Sequence, residues 1–316
     1  MIKHKPSPLV SVCIITYNHQ KYISEAIESV LKQETSFEVE IIVGVDLCSD
    51  TTLETVNQYA KENKNIHILN TSNRLGMIQN WVRSLQACTG KYIAVLEGDD
   101  FWVSANKLQL QAEFLEKNTD FSLCFHPLTT FHEDATRDEQ YLDQQFEKEV
   151  FDLKDVITKS WFIGTASMMF RTTHLPKFEP WVFKQKAIDK TIQLFLADKG
   201  KIKLISNLSG MYRIHDNGIS QIQWLGKENT FHLSLINILT GFDQQTNGKY
   251  ASIIDAQIIT LYKNMLSVNY TFPITYMNLY KKLFGYKTLK THSLKRWILI
   301  EYFPLKWNNL LKLYKS

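Results

Sequence analysis

The stretch Val95–Trp102 reads V-L-E-G-D-D-F-W and places Glu97, Asp99 and Asp100 within four positions. It follows an apolar run, residues 92–96, which is typical of a buried strand. Like charges crowded at a strand end are unfavourable unless a cation or a ligand compensates them. Hard divalent cations such as Mg2+ or Mn2+ take oxygen ligands and often keep waters and substrate phosphates in their shell. The stretch therefore predicts a metal or ligand site, with an acidic helix-capping loop as the alternative.

Other polar residues also follow apolar runs. The first run ends in Thr16-Tyr17-Asn18, the second in Asp46, and the third leads into Arg74. An aromatic ring, an acid, a base and a metal-ready acid cluster at one sheet edge suit a nucleotide diphosphate. The ring stacks on the nucleobase, the acid accepts from base N–H or ribose O–H groups, and the cation holds phosphates. Taken singly, the same residues fit a packed aromatic, a helix cap and a surface charge.

The elements that must position these residues alternate regularly. Apolar, β-branched runs begin near residues 9, 39, 66, 92 and 121, with helical patterns between them. This spacing is typical of βαβ units and predicts an α/β fold with a mainly parallel sheet covered by helices. Ligands of such sheets bind at the carboxyl ends of the strands. The candidate polar residues all fall at those ends.

The pattern changes in the second half of the chain. Residues 132–150 are rich in acids and predict a solvated loop or short helix. Order returns with residues 162–171, a helix over about 188–197 and an apolar run at 202–205. Beyond residue 231 long helical patterns dominate. We therefore predict a first domain over residues 1–222 and a helical, basic C-terminal region over residues 223–316.

The charge of the chain is distributed unevenly. The 316 residues carry a formal charge of +4, yet residues 273–316 hold nine Lys or Arg against one acid, Glu301. Tyr, Phe, Trp and Leu are interspersed with these cations, as in helices that lie on anionic membrane surfaces. Packing against the first domain and homo-oligomerisation are the alternatives. Nucleic acid is not an expected partner, because no recognised binding motif accompanies the charge.

Cysteine usage favours a reducing compartment. The four cysteines form no C-x-x-C pair, and Cys13 and Cys124 lie inside apolar runs, as buried free thiols do. We find no signal peptide and no apolar run long enough to span a bilayer. The expected location is the cytoplasm, with peripheral attachment to the inner face of the plasma membrane if the basic tail binds lipid.

Four blocks in this order resemble the family 2 glycosyltransferases, which have the GT-A fold. They are P-L-V-S-V-C-I-I-T-Y-N, V-D-L-C-S-D-T-T, N-R-L-G followed by G-K-Y-I-A-V-L-E-G-D-D-F-W, and Y-R-I-H. The resemblance covers roughly residues 8–220. Leu47 stands where glycine is common, Cys48 where serine is common, and Glu97 where aspartate is more usual. The E-G-D-D-F-W form also resembles bacterial members that build surface polysaccharides.

This resemblance implies roles for individual residues. Thr16, Tyr17 and Asp46 would hold the uracil and ribose end of a UDP-sugar, UDP being the nucleotide most frequent in the family. The whole implied donor-binding set is Thr16, Tyr17, Asn18, Asp46, Arg74, Glu97, Asp99 and Arg213. Mn2+ or Mg2+ would be held by Asp99 or Asp100, with His215 as a further ligand. Trp102 and Trp161 would line the sugar or acceptor subsite, with core packing as the alternative for Trp102.

Inverting transfer of this kind needs one general base on the acceptor side. The family places it at the start of a helix well after the acid cluster, and Asp189 matches by position. Lys186 and Lys190 are expected to keep its carboxylate ionised. The alternative is an N-terminal acid favoured only by the helix dipole.

The sequence thus predicts an inverting, metal-dependent glycosyltransferase that moves a sugar from a nucleotide-sugar to a glycan or lipid-linked glycan acceptor of a bacterial surface. A sugar-phosphate nucleotidylyltransferase is a weaker alternative, because the expected Gly-rich loop after the first strand is missing. A non-catalytic scaffold that binds nucleotide-sugar or glycan is an alternative of another class. Donor sugar, acceptor and linkage cannot be deduced from the residues.

Overall fold

The computed structural model describes residues 8–133, 140–141, 146–159, 161–218 and 228–268. The chain divides into two compact units, Met1–Gly226 and Lys227–Ser316. The basic tail from residue 273 onward lies outside the described residues.

The first unit is built from short strands and helices. In chain order the strands are β1 (Val10–Thr16), β2 (Val39–Val45), β3 (Ile66–Leu69), β4 (Tyr92–Glu97), β5 (Phe101–Trp102), β6 (Phe121–Phe125), β7 (Leu128–His132), β8 (Gln140–Tyr141), β9 (Val150–Phe151), β10 (Met169–Arg171), β11 (Lys201–Leu204) and β12 (Gly210–Ile214). The helices are α1 (Ile23–Leu31), α2 (Thr52–Glu62), α3 (Met77–Ala87), α4 (Lys107–Lys117), α5 (Leu153–Thr158) and α6 (Asp189–Lys199). Among the described residues they form two sheets, ordered β3-β2-β1-β4-β10-β6-β11-β9 and β5-β12-β7-β8.

The centre of the larger sheet is parallel, as predicted. Strand β1 pairs in parallel with β2 on one side and β4 on the other, and its side chains are buried throughout. Continuous burial of β1 explains why its residues are mostly apolar and do not alternate with charged ones. Helix α1 contributes one apolar face, which buries Ile23, Ala26, Ile27 and Val30. The chain runs from β1 outward to β3 and then returns to β4 on the opposite side of β1, so a topological switch point lies between β1 and β4.

The outer half of the sheet departs from a parallel arrangement. Strand β10 is antiparallel to both β4 and β6, and β9 is antiparallel to β11. The expectation of a loop or short helix over residues 132–150 was wrong at its ends and within it, because β7 runs through His132, β8 covers Gln140–Tyr141 and β9 begins at Val150. Strands β7 and β9 are stabilised by pairing with the distant strands β12 and β11, and β8 pairs with β7, none of which local composition reveals.

The smaller sheet brings the end of the first unit back to the acid cluster. Strand β5, which directly follows Asp100, pairs antiparallel with β12 through Gly210↔Trp102 and Met211↔Phe101. Strand β12 also pairs in parallel with β7. Arg213 therefore lies within a strand, and His215 directly follows it.

In the second unit the described elements are two helices, α7 (Glu228–Gln245) and α8 (Ala251–Val268). Asn247 and Gly248 between them have positive φ angles of 55° and 74°. The rings of Phe242 and Tyr250 stack across this turn, with their centres 5.8 Å apart. Helical structure in the C-terminal region agrees with the prediction. Of the helices described, none has both the length and the apolar character needed to cross a membrane.

Candidate functional site

The switch point between β1 and β4 is closely packed around a glycine. Gly98 follows β4 and donates its N–H to the Ile15 carbonyl at 2.8 Å. A Cβ at this position would lie 2.7 Å from Thr16 Oγ1, so a larger residue would collide with the end of β1. The Thr16 hydroxyl itself is buried and has no hydrogen-bond partner among the residues described. A buried polar atom of this kind at a strand end is consistent with a ligand contact.

Asp46, which follows β2, holds the loop that precedes α3 through hydrogen bonds. Its Oδ1 accepts from the backbone N–H of Leu47 at 2.9 Å and of Leu75 at 2.8 Å, and its Oδ2 accepts from Gly76 at 2.9 Å. Gly76 has a φ of 82°, a conformation that favours glycine. The carboxylate therefore sets the path of the loop that carries Arg74.

Tyr17 and Arg74 are brought together as the sequence predicted. The Arg74 guanidinium carbon lies 4.1 Å from the centre of the Tyr17 ring, a cation–π contact. Asn18 lies beside them with a positive φ of 54°, and its side-chain carbonyl accepts from the Ser49 backbone N–H at 2.9 Å. The loops after β1, β2 and β3 thus form one connected edge.

Asp99 lies between two imidazoles. Its Oδ2 is 3.1 Å from His215 Nε2 and 3.6 Å from His19 Nε2. Burial raises the pKa of Asp99, but His19 and the hydrogen bond from His215 outweigh burial and hold that pKa below its ordinary value. Burial lowers the pKa of His19, which Asp99 opposes. The sequence analysis missed His19, although its place three residues after the end of β1 was a usable signal.

Asp100 faces the protein interior. Its Oδ1 accepts from the Arg213 backbone N–H at 2.8 Å, and the residue is 3% exposed. Burial, followed by the neighbouring Asp99 and Glu97, raises the pKa of Asp100 well above its ordinary value. Of the two adjacent aspartates, Asp100 is thus hydrogen-bonded to β12 and Asp99 faces the imidazoles.

Arg213 is enclosed by aromatic rings and tied to the acid loop. Its Nε donates to the Asp99 carbonyl at 2.9 Å, and its guanidinium also pairs with Glu25 from α1. The surrounding rings, with their distances from the guanidinium carbon, are Tyr22 (4.9 Å), Phe131 (5.0 Å) and Phe101 (5.3 Å). These contacts hold the loop that carries Asp99. Donor binding by Arg213 itself stays a prediction.

Glu97 and Asp189 form a second pair of acids. Burial, followed by Asp99 and Asp189, raises the pKa of Glu97 to about 8. Within the described structure its Oε2 is buried without a hydrogen-bond partner. Asp189 begins α6 and is half-buried, and its Oδ2 accepts a hydrogen bond from the indole N–H of Trp161. Four of the predicted acids therefore converge at this end of the sheet.

The Lys190 charge favours the ionised Asp189 carboxylate, as expected from the sequence, but burial outweighs it. Lys186 is exposed, whereas Lys190 is buried and donates to the Lys159 carbonyl at 3.1 Å. Burial lowers the pKa of Lys190 to about 8, which Asp189 opposes. Burial also raises the pKa of Asp189, and its hydrogen bonds with the Lys190 backbone and Trp161 and the Lys190 charge only partly offset that rise. The missed factor is desolvation, which depends on tertiary packing.

Trp102 and Trp161, which were both expected near the sugar or acceptor, have different surroundings. The Trp102 indole N–H donates to the Ala166 carbonyl at 2.7 Å and its ring is 4% exposed, so Trp102 packs in the core. Trp161 contacts the candidate base through its N–H, a role that the sequence analysis did not consider.

A family model described as glycosyl transferase family 2 matches residues 11–175, which is more than half of the chain and includes β1, β4 and the acid cluster. The chain belongs to glycosyl transferase family 2. This confirms the resemblance inferred from the four sequence blocks.

Curated relatives of this family 2 chain are distant. It is 29% identical over 212 residues to an uncharacterised protein of Mycobacterium tuberculosis, covering 66% of this chain and 60% of the relative. It is 27% identical over 226 residues to the putative teichuronic acid biosynthesis glycosyltransferase TuaG of Bacillus subtilis, covering 71% of this chain and 86% of TuaG. The chain therefore spans about 60% of the length of the mycobacterial relatives that it matches.

Solved structures share the fold of this family 2 protein. Residues 1–349 of S. aureus TarS, in complex with UDP-GlcNAc, superpose with a TM-score of 0.58 at 18% identity, covering 83% of this chain and 76% of that fragment. The mannosyltransferase PcManGT from Pyrobaculum calidifontis, in complex with GDP-Man and Mn2+, gives a TM-score of 0.53 at 11% identity, covering 93% and 84%. Identities this low establish the fold alone. The predicted GT-A architecture, a mainly parallel sheet flanked by helices, is confirmed.

The chemistry of the side chains near Asp99 fits a divalent cation. Asp99 Oδ2 and His215 Nε2 are 3.1 Å apart, the imidazole is buried and the carboxylate is partly exposed, so a cation that enters from solvent would replace their hydrogen bond. In the part of the chain that the structure describes, no group of three His, Cys, Asp or Glu side chains is arranged to hold a metal ion. A site with two protein ligands suits a cation that keeps waters and substrate phosphates in its shell.

Proposed function

We propose that this protein is an inverting, metal-dependent glycosyltransferase that moves one sugar from a nucleotide-diphosphate sugar to an acceptor hydroxyl. The observation that carries the proposal is that Asp99 Oδ2 lies 3.1 Å from His215 Nε2 directly after β4, at the strand end where Glu97 also interacts electrostatically with Asp189. A candidate ligand for the cation and a candidate base therefore lie near the same strand end. Family membership and the likeness to nucleotide-sugar complexes support this reading.

The nucleoside end of the donor is assigned to the edge formed by Thr16, Tyr17, Asn18, Asp46 and Arg74. The Tyr17 ring and the Arg74 guanidinium offer flat surfaces for a base, and the Thr16 hydroxyl offers a polar contact that the protein does not use itself. Since Asp46 Oδ1 already accepts two backbone N–H groups and Oδ2 accepts one, Asp46 would contact the donor through the remaining lone pair of Oδ2.

Asp99 and His215 would hold Mn2+ or Mg2+, and Asp100 would not, because its Oδ1 accepts from Arg213. An imidazole ligand favours Mn2+ over Mg2+. The cation would supply charge neutralisation for the departing diphosphate. Glu97 lies in the same acid cluster and would approach the donor sugar.

Asp189 would act as the general base. The acceptor hydroxyl gives its proton to the Asp189 carboxylate as its oxygen bonds to the anomeric carbon, and the bond from that carbon to the diphosphate oxygen breaks. A single displacement needs no carboxylate nucleophile. A base with a raised pKa takes up a proton more readily near neutral pH, as general catalysis requires.

UDP is the proposed nucleotide, supported by the likeness to TarS in complex with UDP-GlcNAc. The proposed acceptor is a growing bacterial surface glycan, free or lipid-linked, supported by the similarity to TuaG. We place the reaction in the cytoplasm, with the basic tail on the inner membrane surface or at a contact between copies of the chain.

The test is nucleotide binding followed by turnover. Thermal shift is measured against UDP, GDP, CMP and TDP with and without Mn2+, for wild type, Asp99→Asn and Asp189→Asn. We expect stabilisation by UDP that needs Mn2+, is lost in Asp99→Asn and is retained in Asp189→Asn, whose sugar transfer is lost. Binding without turnover of any sugar donor by wild type would indicate a scaffold, and the absence of binding would refute the proposal.

A further inference from the structure

Asp189 and Lys190 together hold the segment that joins α5 to the following loop. The Lys190 ammonium donates to the Lys159 carbonyl at 3.1 Å, and Asp189 accepts from the indole N–H of Trp161. The Lys190 ammonium also lies 5.9 Å from the centre of the Trp161 ring. Two consecutive residues at the start of α6 therefore contact Lys159 and Trp161.

This arrangement restricts the Asp189 carboxylate in two ways. The indole N–H donates to Oδ2, which fixes the rotation of the carboxylate. The other oxygen, Oδ1, does not accept from the indole. An indole N–H can only donate. The contact therefore favours the ionised carboxylate, the form that takes a proton, and it persists only in that form or with a neutral acid whose proton is on the other oxygen.

We propose that Trp161 is a positioning residue that orients the Asp189 carboxylate and keeps it ionised for proton transfer. The inference rests on the proposed function of Asp189, and it replaces the expectation that Trp161 forms a wall of the sugar or acceptor subsite. Trp161 acts through the carboxylate and needs no contact with substrate.

Two other charged groups interact with Asp189, and a substitution of Trp161 leaves both of them in the protein. They are Glu97 from the end of β4 and Lys190 from α6, both of which interact electrostatically with the Asp189 carboxylate. Burial opposes ionisation of Asp189, and the Trp161 hydrogen bond counts among the contacts that favour it. Removing the N–H alone should therefore raise the pKa of Asp189, because hydrogen bonding to the charged form stabilises it.

The direct test follows the tryptophan indole N–H signals by NMR in the full-length protein labelled with 15N-tryptophan, as a function of pH. The chain has seven tryptophans, and the signal missing in Trp161→Phe identifies Trp161. We expect this signal to titrate with Asp189 in wild type and to stop titrating in Asp189→Asn. A Trp161 signal with the same pH dependence in both proteins would overturn the proposal.

The kinetic test compares Trp161→Phe with a matched control, Trp181→Phe. Trp181 packs on Phe195 of the same helix, with ring centres 6.5 Å apart. In Trp161→Phe the acidic limb of the kcat profile should move up by about one pH unit, since a hydrogen bond to a charged group is worth about that much. The Kd of UDP should stay unchanged, and Trp161→His should restore part of the shift.

The outcomes separate this inference from the proposed function. A lower kcat with an unmoved acidic limb, or an equal shift in Trp181→Phe, would show a merely structural role and overturn the inference. Sugar transfer that survives in Asp189→Asn would overturn the proposed base, whatever the NMR titration shows. If Trp161→Phe fails to fold, Trp161→His identifies the indole N–H signal of Trp161 instead. The NMR comparison of wild type with Asp189→Asn then tests the inference without Trp161→Phe.

Discussion

At the scale of single residues, the buried charges decide how the site behaves. Asp99 and Asp100 are neighbours in sequence with opposite surroundings, since one faces two imidazoles and the other accepts from the backbone of Arg213. The sequence alone could not distinguish the two as candidate metal ligands, because both have the same side chain. The contacts favour Asp99.

A first residue-scale prediction separates two roles for Arg213. If Arg213 holds the Asp99 loop through its pairing with Glu25, then Glu25→Gln should weaken Mn2+-dependent UDP binding by about tenfold, as loss of groups that support metal ligands does. If Arg213 instead contacts phosphate, Glu25→Gln frees the guanidinium and leaves binding equal or tighter. Isothermal titration with UDP and Mn2+ distinguishes the two, and Glu28→Gln, also on α1, is the control.

A second residue-scale prediction concerns Lys107, which is fully buried. Its ammonium donates to Gln111 at 2.8 Å and lies 3.9 Å from the centre of the Trp102 ring. Burial lowers the pKa of Lys107 to about 7 from an ordinary value of 10.5. Between those values the unfolded chain binds more protons, so this lysine makes stability rise with pH.

We therefore expect the stability of Lys107→Met relative to wild type to fall by on the order of 3 kcal/mol between pH 7 and pH 10. Urea unfolding of both proteins at several pH values measures this difference. Lys117→Met, an exposed position on the same helix, should show no such trend. A difference for Lys107→Met that is constant across this pH range would contradict the prediction.

At the scale of elements, close packing fixes where helices sit on the sheet. Gly44 of β2 faces α3, and a Cβ there would lie 1.9 Å from Ser84 Oγ and 3.1 Å from Ser84 Cβ. Asn80 of the same helix donates to the Gly44 carbonyl at 2.8 Å. This contact holds α3, and with it the loop carrying Arg74, against the end of β2.

Gly44→Ala should lower the free energy of unfolding by about 1–3 kcal/mol, because the added methyl overpacks the interface. The double variant Gly44→Ala/Ser84→Ala removes the closest clash, so it should be about 1 kcal/mol more stable than the sum of the single changes predicts. Urea unfolding of the four proteins tests this. Additive effects would show that the contact does not limit the packing of α3.

At the scale of the whole molecule, the uneven distribution of charge predicts that the basic tail binds anionic membrane surfaces. The tail beyond residue 273, which lies outside the described residues, carries nine of the chain's cations against one acid. Full-length protein should sediment with vesicles that contain anionic lipid, and do so less as salt rises. A full-length variant should lose this binding when these residues are changed to Gln: Lys281, Lys282, Lys287, Lys290, Lys295 and Arg296.

Vesicles of neutral lipid are the control for that experiment. Equal binding to neutral and anionic vesicles would contradict an electrostatic role for the tail. Analytical ultracentrifugation of the same two proteins tests the alternative, because a dimer that dissociates in the Gln variant would assign the tail to oligomerisation.

Local patterns in the sequence determined the elements of the first unit and the chemistry at their ends. Five apolar runs predicted β1, β2, β3, β4 and β6, because strands buried in the centre of a sheet are mostly apolar along their length. The same reasoning placed Tyr17, Asp46, Arg74 and Asp99 at one edge. In a parallel sheet all carboxyl ends meet there, so chain order alone suffices.

Tertiary structure decided what depends on distant partners. The antiparallel position of β10, the pairing of β5 with β12 and the ring cage of Arg213 each join residues that are far apart in sequence. The convergence of His19 and His215 on Asp99 joins residues nearly two hundred positions apart. The raised pKa of Asp189 likewise follows from desolvation, and no reading of its lysine neighbours reveals it. Periodicity and residue type are local properties, whereas burial and long-range contacts exist only after the chain has folded.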